Sequence, residues 1–457
     1  MNYDIIVIGA GPGGYVAAEK AAKAGKKTLL IEKERLGGIC LNWGCIPTKA
    51  LLKSAQAFHY AEKAAEYGVC VSGEVKPDFA KMVERSRGVS DAMNKGVEFL
   101  MNKSGVEVMF GTAKLNSDKS ITVTNTQGET TKVEGEHIIL AVGAHSRQLP
   151  NLPQDGKHII GYREAMTLEK QPESMVVVGS GAIGSEFAHF YQTIGTKVTL
   201  VEFMPTIVPN EDKEVASTLQ RCMKKNGMKV YTATSVDKVE VVNDKCVVTL
   251  SGKKTETLEC DVVLSAVGVE TNLSGLGLEE AGVEFERGKV GVNDWYETNV
   301  KGIYAIGDIV HGPALAHVAS AEAVVCVNHI LGKEVSPVNY ANIPGCTYTT
   351  PEIASVGLNE DKAKEQGYEI KVGKFMFMAS GKATAAGNRD GFVKIVLDAK
   401  TDQILGCSMI GDNVTEMIEE IVVARQMNLT GKQILSTVHP HPTMSEGVME
   451  ALNNCYE

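Results

Sequence analysis

No uncharged apolar stretch in the 457 residues approaches the roughly 20 that a membrane-spanning helix needs. Basic blocks are missing too, and the net charge of −10 disfavours nucleic acid and anionic membrane surfaces as partners. The chain opens directly on an apolar strand, YDIIVIGAG, with neither a basic leader nor a cleavable apolar segment, so the expected location is cytoplasmic. Ten cysteines are present, but most stand singly in apolar segments (Cys70, Cys222, Cys246, Cys260, Cys326, Cys346, Cys407), which excludes a secreted disulfide scaffold. What remains is a chain long enough for about three domains at roughly 150 residues each.

One cysteine pair does stand together. In GGICLNWGCIPTK, residues 37–49, Cys40 and Cys45 are five positions apart, close enough to bridge if the segment opens a helix. Gly37, Gly38, Gly44 and Pro47 bend the chain, while ALLKSAQAFHYAEKAA after them is rich in helix formers. Cys45 therefore belongs at a helix N-terminus, where unpaired N–H groups favour a thiolate, and Lys49 one turn further on adds a positive charge. The spacing matches neither CxxC oxidoreductases nor the usual zinc pairs, so two buried reduced cysteines are the competing reading.

The first sixty residues have a stronger pattern. An apolar strand runs into Gly9, Gly11 and Gly14, a helix follows, and a second strand, KTLLIEK, ends at Glu32. This is the order of a dinucleotide-binding unit, with glycines for the turn, for backbone approach to the pyrophosphate and for helix packing, and a carboxylate for a ribose hydroxyl. The pattern recurs as Gly179, Gly181 and Gly184, offset by 170 (179 − 9), and Glu202 follows Gly179 by the 23 residues that separate Glu32 from Gly9 (202 − 179 and 32 − 9). Two such sites imply electron traffic between two nucleotide cofactors, which favours redox chemistry for Cys40 and Cys45. Glu202, with no arginine in the following FMPTIVPNED, selects NAD over NADP.

Three further stretches bear on function. TNVKGIYAIGD delivers Asp308 at a strand end, where it either binds a flavin polyol hydroxyl or caps the next helix. From about residue 339 the texture changes to antiparallel strands and helices with no glycine fingerprint, the pattern of an interface or substrate module. Near its end, HPHPTMSEG sets His441 five residues before Glu446, at a helix expected to begin at Thr443. An imidazole with a pKa of about 6.5 beside a carboxylate suits a proton shuttle for a dithiol. A TxxE capping box and an HxH metal site, through His439 and His441, are the alternatives.

Taken together, GGICLNWGCIPTKALL, both fingerprints, the GD strand and HPHPTMSE resemble the flavin-dependent pyridine nucleotide-disulfide oxidoreductases, and among them the dihydrolipoamide-oxidising branch, over essentially the whole chain. The resemblance implies an α/β fold of two nested Rossmann-like dinucleotide-binding domains plus a C-terminal α+β dimerisation domain. The implied boundaries are 1–147 and 270–338 for FAD, 148–269 for NAD, and 339–457 for the interface. It implies Cys40 as the thiol exchanging with substrate, Cys45 as the thiolate facing the flavin, His441 and Glu446 as an acid/base pair from the other subunit, and Lys49 with Glu186 as an ion pair beside the ring. For FAD it implies contacts with Gly9, Gly11, Gly14, Glu32, Lys33, Gly38, Lys49, Ala113, Val142, Gly143, Ala144, Asp308, Ala314, Leu315, Ala316 and His317. For NAD it implies Gly179, Gly181, Ile183, Gly184, Glu186, Glu202, Val236 and Gly268. No metal site is implied. The implied partners are a second copy of the chain and a lipoylated acyltransferase or glycine-cleavage carrier protein. Ala182, where glutathione reductases carry a tyrosine, and the lack of a C-terminal cysteine pair, which mercuric reductases carry, favour the lipoamide branch over those rivals. A flavin-bound subunit without turnover is the alternative outside catalysis.

Overall fold

The computed structural model describes residues 2–457, which fall into two compact units. The first runs to Leu51 and resumes over Ala80–Arg147 and Gly268–Val338; the second comprises Leu52–Phe79, Gln148–Val267 and Asn339–Glu457.

At the centre of the first unit lies the strand Asn2–Ile8, apolar and buried from Ile5 to Ile8 because a central parallel strand is covered on both faces. Its parallel neighbours are Thr28–Glu32 and Thr130–Leu140, with Glu107–Phe110 beyond the first and Ile303–Ala305 beyond the second. Thr130–Leu140 also carries the antiparallel pieces Ile121–Thr124 and Thr112–Leu115. The helix Pro12–Lys23 begins on a proline and continues through alanines, and it packs on the helix Ala316–Ile330. Gly13 permits this approach, since a Cβ there would lie 3.2 Å from the Ala319 carbonyl oxygen.

The second unit repeats the plan. Ser174–Val178 is flanked by Lys197–Val201 and then Lys229–Tyr231 on one side, and by Val262–Ser265 and Ile159–Ile160 on the other, all parallel. An antiparallel meander, Thr234–Val242, Lys245–Gly252 and Glu256–Cys260, follows the third of these strands in sequence. The C-terminal portion is a five-stranded antiparallel sheet in the order Gly345–Thr347, Glu352–Gly357, Ile404–Gly411, Phe392–Asp398, Ile370–Met376. The helices Val414–Gln426 and Glu446–Asn453 bury Ile418, Ile421, Val448 and Leu452 with Val393, Ile395 and Leu397 of that sheet. Burial of each such side chain contributes about 1.5–3 kcal/mol. No helix among the described residues is long and apolar enough to cross a membrane.

Lys394, on the strand Phe392–Asp398, is buried within a ring of carboxylates, 3.0 Å from Asp212, 2.9 Å from Glu214 and 3.1 Å from Glu360. Burial alone would favour the neutral amine, but Glu214 and Asp212 outweigh it and hold the ammonium above the usual lysine range. Removing one partner of such a buried cluster costs more than replacing the pair. Lys394→Met is therefore expected to destabilise the protein by about 3–5 kcal/mol in denaturant titrations, and Lys394→Met with Asp212→Leu to recover part of that loss. A near-neutral single substitution would show that the cluster is solvated.

Candidate active site

The segment carrying the cysteines forms a short helix, Gly38–Trp43, and a longer one, Cys45–Glu62, with a break at Gly44 between them. Cys40 lies in the first piece and Cys45 is the first residue of the second, the helix-start position expected for a stabilised thiolate. Both are reduced thiols within hydrogen-bonding reach of each other, Cys40 partly buried and Cys45 exposed. That contact, then burial, then the charge of its neighbour push the Cys40 thiol far up, while Lys49 pulls it the other way. Cys40 thus stays protonated and the pair is asymmetric. Tyr15, half-buried beside the pair, is also raised, by burial first and then by the nearby sulfurs.

Contacts between backbones set this turn against the first glycine loop. Gly37 N–H donates to the Ala10 carbonyl at 2.8 Å, and a Cβ on Gly38 would lie 2.6 Å from the Gly11 Cα. Gly37 and Gly38 have φ of 90° and 57°, which a side chain would strain. Asn42, buried, ties the turn internally by donating to the Leu36 and Gly38 carbonyls at 2.8 and 2.9 Å.

A second set of residues, whose role the sequence reading missed, braces the turn from the helix Phe79–Ser104. Arg85 donates to the Ala50 carbonyl, Ser86 to Pro47, Arg87 to Asn42, Ser90 to Leu41 and Asn94 to Leu36, at 2.7 to 3.0 Å. The signal available in the sequence was the polar run RSRGVSDAMN, in which positions 86, 90 and 94 share one helix face. Trp43 is held from both sides, its Nε1 donating to Glu34 at 3.0 Å and the Arg87 guanidinium 4.9 Å from its ring.

Both glycine loops have the cradle geometry. Gly9 and Gly179 have φ of 99° and 96°, and a Cβ on either would meet the carbonyl oxygen of Ala141 or Ala266 at 2.3 or 2.4 Å. Gly14 and Gly184 sit on the oxygens of Gly9 and Gly179, whereas Gly11 and Gly181 face open space, where a pyrophosphate approaches. No side chain caps the helices Pro12–Lys23 and Ala182–Thr193, whose first N–H groups are left for an anion. Glu32 accepts from Ala10 N–H and Glu34 N–H, both at 2.8 Å; Glu202 accepts from Ser180 N–H at 2.8 Å and Met204 N–H at 2.7 Å. The two carboxylates thus occupy equivalent places, fixed by equivalent bonds.

Asp308 falls in the single turn Gly307–Ile309, pinned where Gly307 N–H donates to buried Glu322 at 2.6 Å. The next helix starts at Ala316 behind Leu315 with no side-chain cap, which removes the capping alternative. Burial raises the Asp308 carboxyl against the pull of Lys289. Val142 and Gly143 follow the strand Thr130–Leu140, and Asn272 binds their carbonyls at 2.9 Å. Ala113 and Ala144 lie on strands of the same unit; Ala314, Leu315, Ala316 and His317 form the start of the helix Ala316–Ile330. In the second unit Ile183 is exposed at its helix start, whereas Gly268, with a φ of 106°, opens the last segment of the first unit. Val236 instead packs in the core and its carbonyl accepts from Asn151 at 2.7 Å. Glu186, buried, accepts from Tyr348 N–H at 3.0 Å.

The two histidines of HPHP differ in setting. His439 is buried and bonds Glu420 at 2.9 Å, whereas the His441 side chain is 78% exposed and its Nδ1 lies 2.8 Å from Glu446 Oε1. The other Glu446 oxygen accepts from Thr443 N–H at 2.8 Å, while the Thr443 hydroxyl turns to the Pro440 carbonyl. Half of a capping box is present, and Glu446 orients the imidazole at the same time. The helix itself begins at Glu446, three residues later than the sequence suggested, because Thr443 gives its side chain to the preceding turn.

Residues 3–323 match the family model described as pyridine nucleotide-disulphide oxidoreductase, and residues 343–452 match its dimerisation domain. The chain belongs to the pyridine nucleotide-disulphide oxidoreductases. Members of this family use FAD and NAD(H), and the two glycine cradles with their fixed carboxylates fit both. The chain is similar to a dihydrolipoyl dehydrogenase of Rhizobium etli, 46% identical over all of this chain and 98% of that one. It is also similar to a leghemoglobin reductase of Glycine max, 43% identical over 99% and 88%. Among solved structures, LpdA from Mycobacterium tuberculosis superposes with a TM-score of 0.92 at 28% identity, covering 98% and 99% of the two chains.

Glu446 ionises more readily than an ordinary glutamate. The His441 ring and then the Thr443 amide favour the charged form and hold the carboxyl below its usual range. A group whose folded-state pKa is lowered stabilises the fold above its unfolded pKa and loses that contribution as pH falls through the folded one. The stability gap between wild type and Glu446→Gln is therefore expected to be present at neutral pH and to close only below the ordinary glutamate range, about 4.3. Melting curves at stepped pH test this, and a gap already closed in mildly acidic buffer would contradict it.

Proposed function

We propose that the protein is a dihydrolipoyl dehydrogenase, which oxidises the dihydrolipoyl arm of an acyltransferase or glycine-cleavage carrier protein and reduces NAD⁺, in the cytoplasm. The observation that carries this is the asymmetric Cys40 and Cys45 pair seated on the first nucleotide loop. Full-length likeness to proteins of that name supports it.

Gly9, Gly11 and Gly14 with Glu32 and Asp308 would hold FAD, which would supply a two-electron relay between the sulfurs and a nicotinamide. In the oxidised protein Cys40 and Cys45 are bridged. A dihydrolipoyl thiolate attacks Cys40 Sγ, a new S–S bond forms, and Cys45 leaves as a thiolate stabilised at its helix start. His441 takes the proton of the second lipoyl thiol, whose sulfur attacks the lipoyl sulfur of the mixed disulfide, closing the ring and releasing Cys40. The arm has then lost two electrons and two protons, and the cysteine pair has gained the electrons. Glu446 holds the His441 ring through Nδ1, which leaves Nε2 for the proton. Glu202 accepts from the adenosine ribose of NAD and disfavours a 2′-phosphate.

Two copies share each site in this reading, with His441 and Glu446 of one serving the thiols of the other. The match to a dimerisation domain, the exposed His441 and the 96% exposed Val438 three residues before it support that arrangement. Cys45→Ser and His441→Gln chains are each expected to lose dihydrolipoamide-dependent NAD⁺ reduction, by about 10²-fold or more for the histidine. Mixing them should restore part of the activity, because each heterodimer keeps one intact site. No recovery despite exchange verified by mass spectrometry would contradict the shared site.

A further inference from the structure

Apart from Cys40 and Cys45, the cysteines read as isolated in the sequence, but the fold brings two of them face to face. Cys246 lies on the strand Lys245–Gly252 and Cys260 on Glu256–Cys260, and they are direct partners in that antiparallel pairing. Residues so opposed have Cα atoms about 4.5 or 5.5 Å apart, and both spacings fall within the roughly 4.4–6.8 Å that a disulfide spans. Both are reduced thiols, 0% and 2% exposed, and each lies within hydrogen-bonding reach of the other. Cys246 also donates to the His158 and Asp261 carbonyls, at 3.5 and 3.8 Å, and Cys260 to the Val262 carbonyl at 3.4 Å.

The two thiols are unequal. The hydrogen bond from Cys260 lowers Cys246, against burial and with help from His158, whose ring is held 2.9 Å from Asp244; the same contact, then burial, raises Cys260. One sulfur is therefore the better nucleophile and the other the better proton holder, the division of labour found at Cys40 and Cys45. Glu256–Cys260 is the outer strand of its three-stranded sheet, so one of the two sulfurs belongs to an edge.

We propose that Cys246 and Cys260 form a second dithiol–disulfide site, separate from the catalytic pair and oxidised by small hydroperoxides. The Cys246 thiol gives up its proton, its thiolate attacks the terminal hydroperoxide oxygen, the O–O bond breaks, and the alkoxide takes that proton and leaves as an alcohol, with Cys246 as sulfenic acid. Cys260 sulfur attacks that sulfur, the S–S bond forms and water leaves, so two thiols and one hydroperoxide give one disulfide, one alcohol and one water. The bridge ties two strands of the meander in the second unit, a cross-link that restricts the unfolded chain.

The test uses the full-length, FAD-loaded protein treated with tert-butyl hydroperoxide, then alkylated in denaturant, digested and weighed. The expected result is a peptide linking Cys246 to Cys260, lighter by two hydrogens than the sum of its reduced parts, with the treated protein melting higher than the untreated. The same link is expected in a Cys40→Ser/Cys45→Ser chain, which separates this site from the catalytic one. In Cys260→Ser, whose hydroxyl keeps a hydrogen-bond donor beside Cys246, Cys246 should be recovered as a trapped sulfenic acid. Full alkylation of Cys246 and Cys260 in protein whose Cys40 and Cys45 have been oxidised would overturn the proposal, as would a link that forms only after unfolding. Should Cys260→Ser fail to fold, the wild-type peptide map still decides.

Discussion

Everything at the catalytic centre depends on one packing of backbone against backbone, the Gly37–Gly38 turn lying on the Ala10–Gly11 loop. The Gly37 to Ala10 hydrogen bond and the absence of a Cβ at Gly38 let the cysteine turn approach the nucleotide loop as closely as two chains can. A Cβ on Gly38 would meet the Gly11 backbone and push the turn off that loop, and one on Gly37 would meet the Leu41 side chain inside the turn itself. The cysteine turn is therefore positioned against the first glycine loop by main-chain geometry and not by flexible side chains.

That turn would be poorly held by its own bonds, since the short helix Gly38–Trp43 ends at the Gly44 break and leaves carbonyls without intrahelical partners. The helix Phe79–Ser104 supplies the missing donors as a row of side chains, and a buried acceptor left unpaired costs about 1–3 kcal/mol. Rigidity at the cysteines therefore comes from a remote stretch of sequence. The same logic of fixed carboxylates recurs in the nucleotide units, where Glu32 and Glu202 each tie the residue between the first two glycines before any ligand arrives.

The fold class, the two glycine loops, the helix-start place of Cys45 and the bond between His441 and Glu446 were legible because each rests on local spacing: glycines at a turn, apolar strands of fixed length, an imidazole five residues before an acid. Three features were not. The bracing helix was hidden because its polar residues read as an ordinary solvated face, and only the fold reveals that they meet carbonyls. Cys246 and Cys260 read as isolated because strand register, not sequence distance, decides which residues oppose each other. Asp308 stood open between capping and ligand binding until the following helix proved to begin eight residues further on, at Ala316.

The central claim, a thiolate at Cys45 set beside the flavin by the Gly37–Gly38 turn, is tested most directly by one absorption spectrum. Anaerobic addition of dihydrolipoamide to the FAD-loaded protein should produce a long-wavelength charge-transfer band that Cys45→Ser lacks. Bleaching of the flavin without that band, or a purified polypeptide that holds no flavin, would contradict the account.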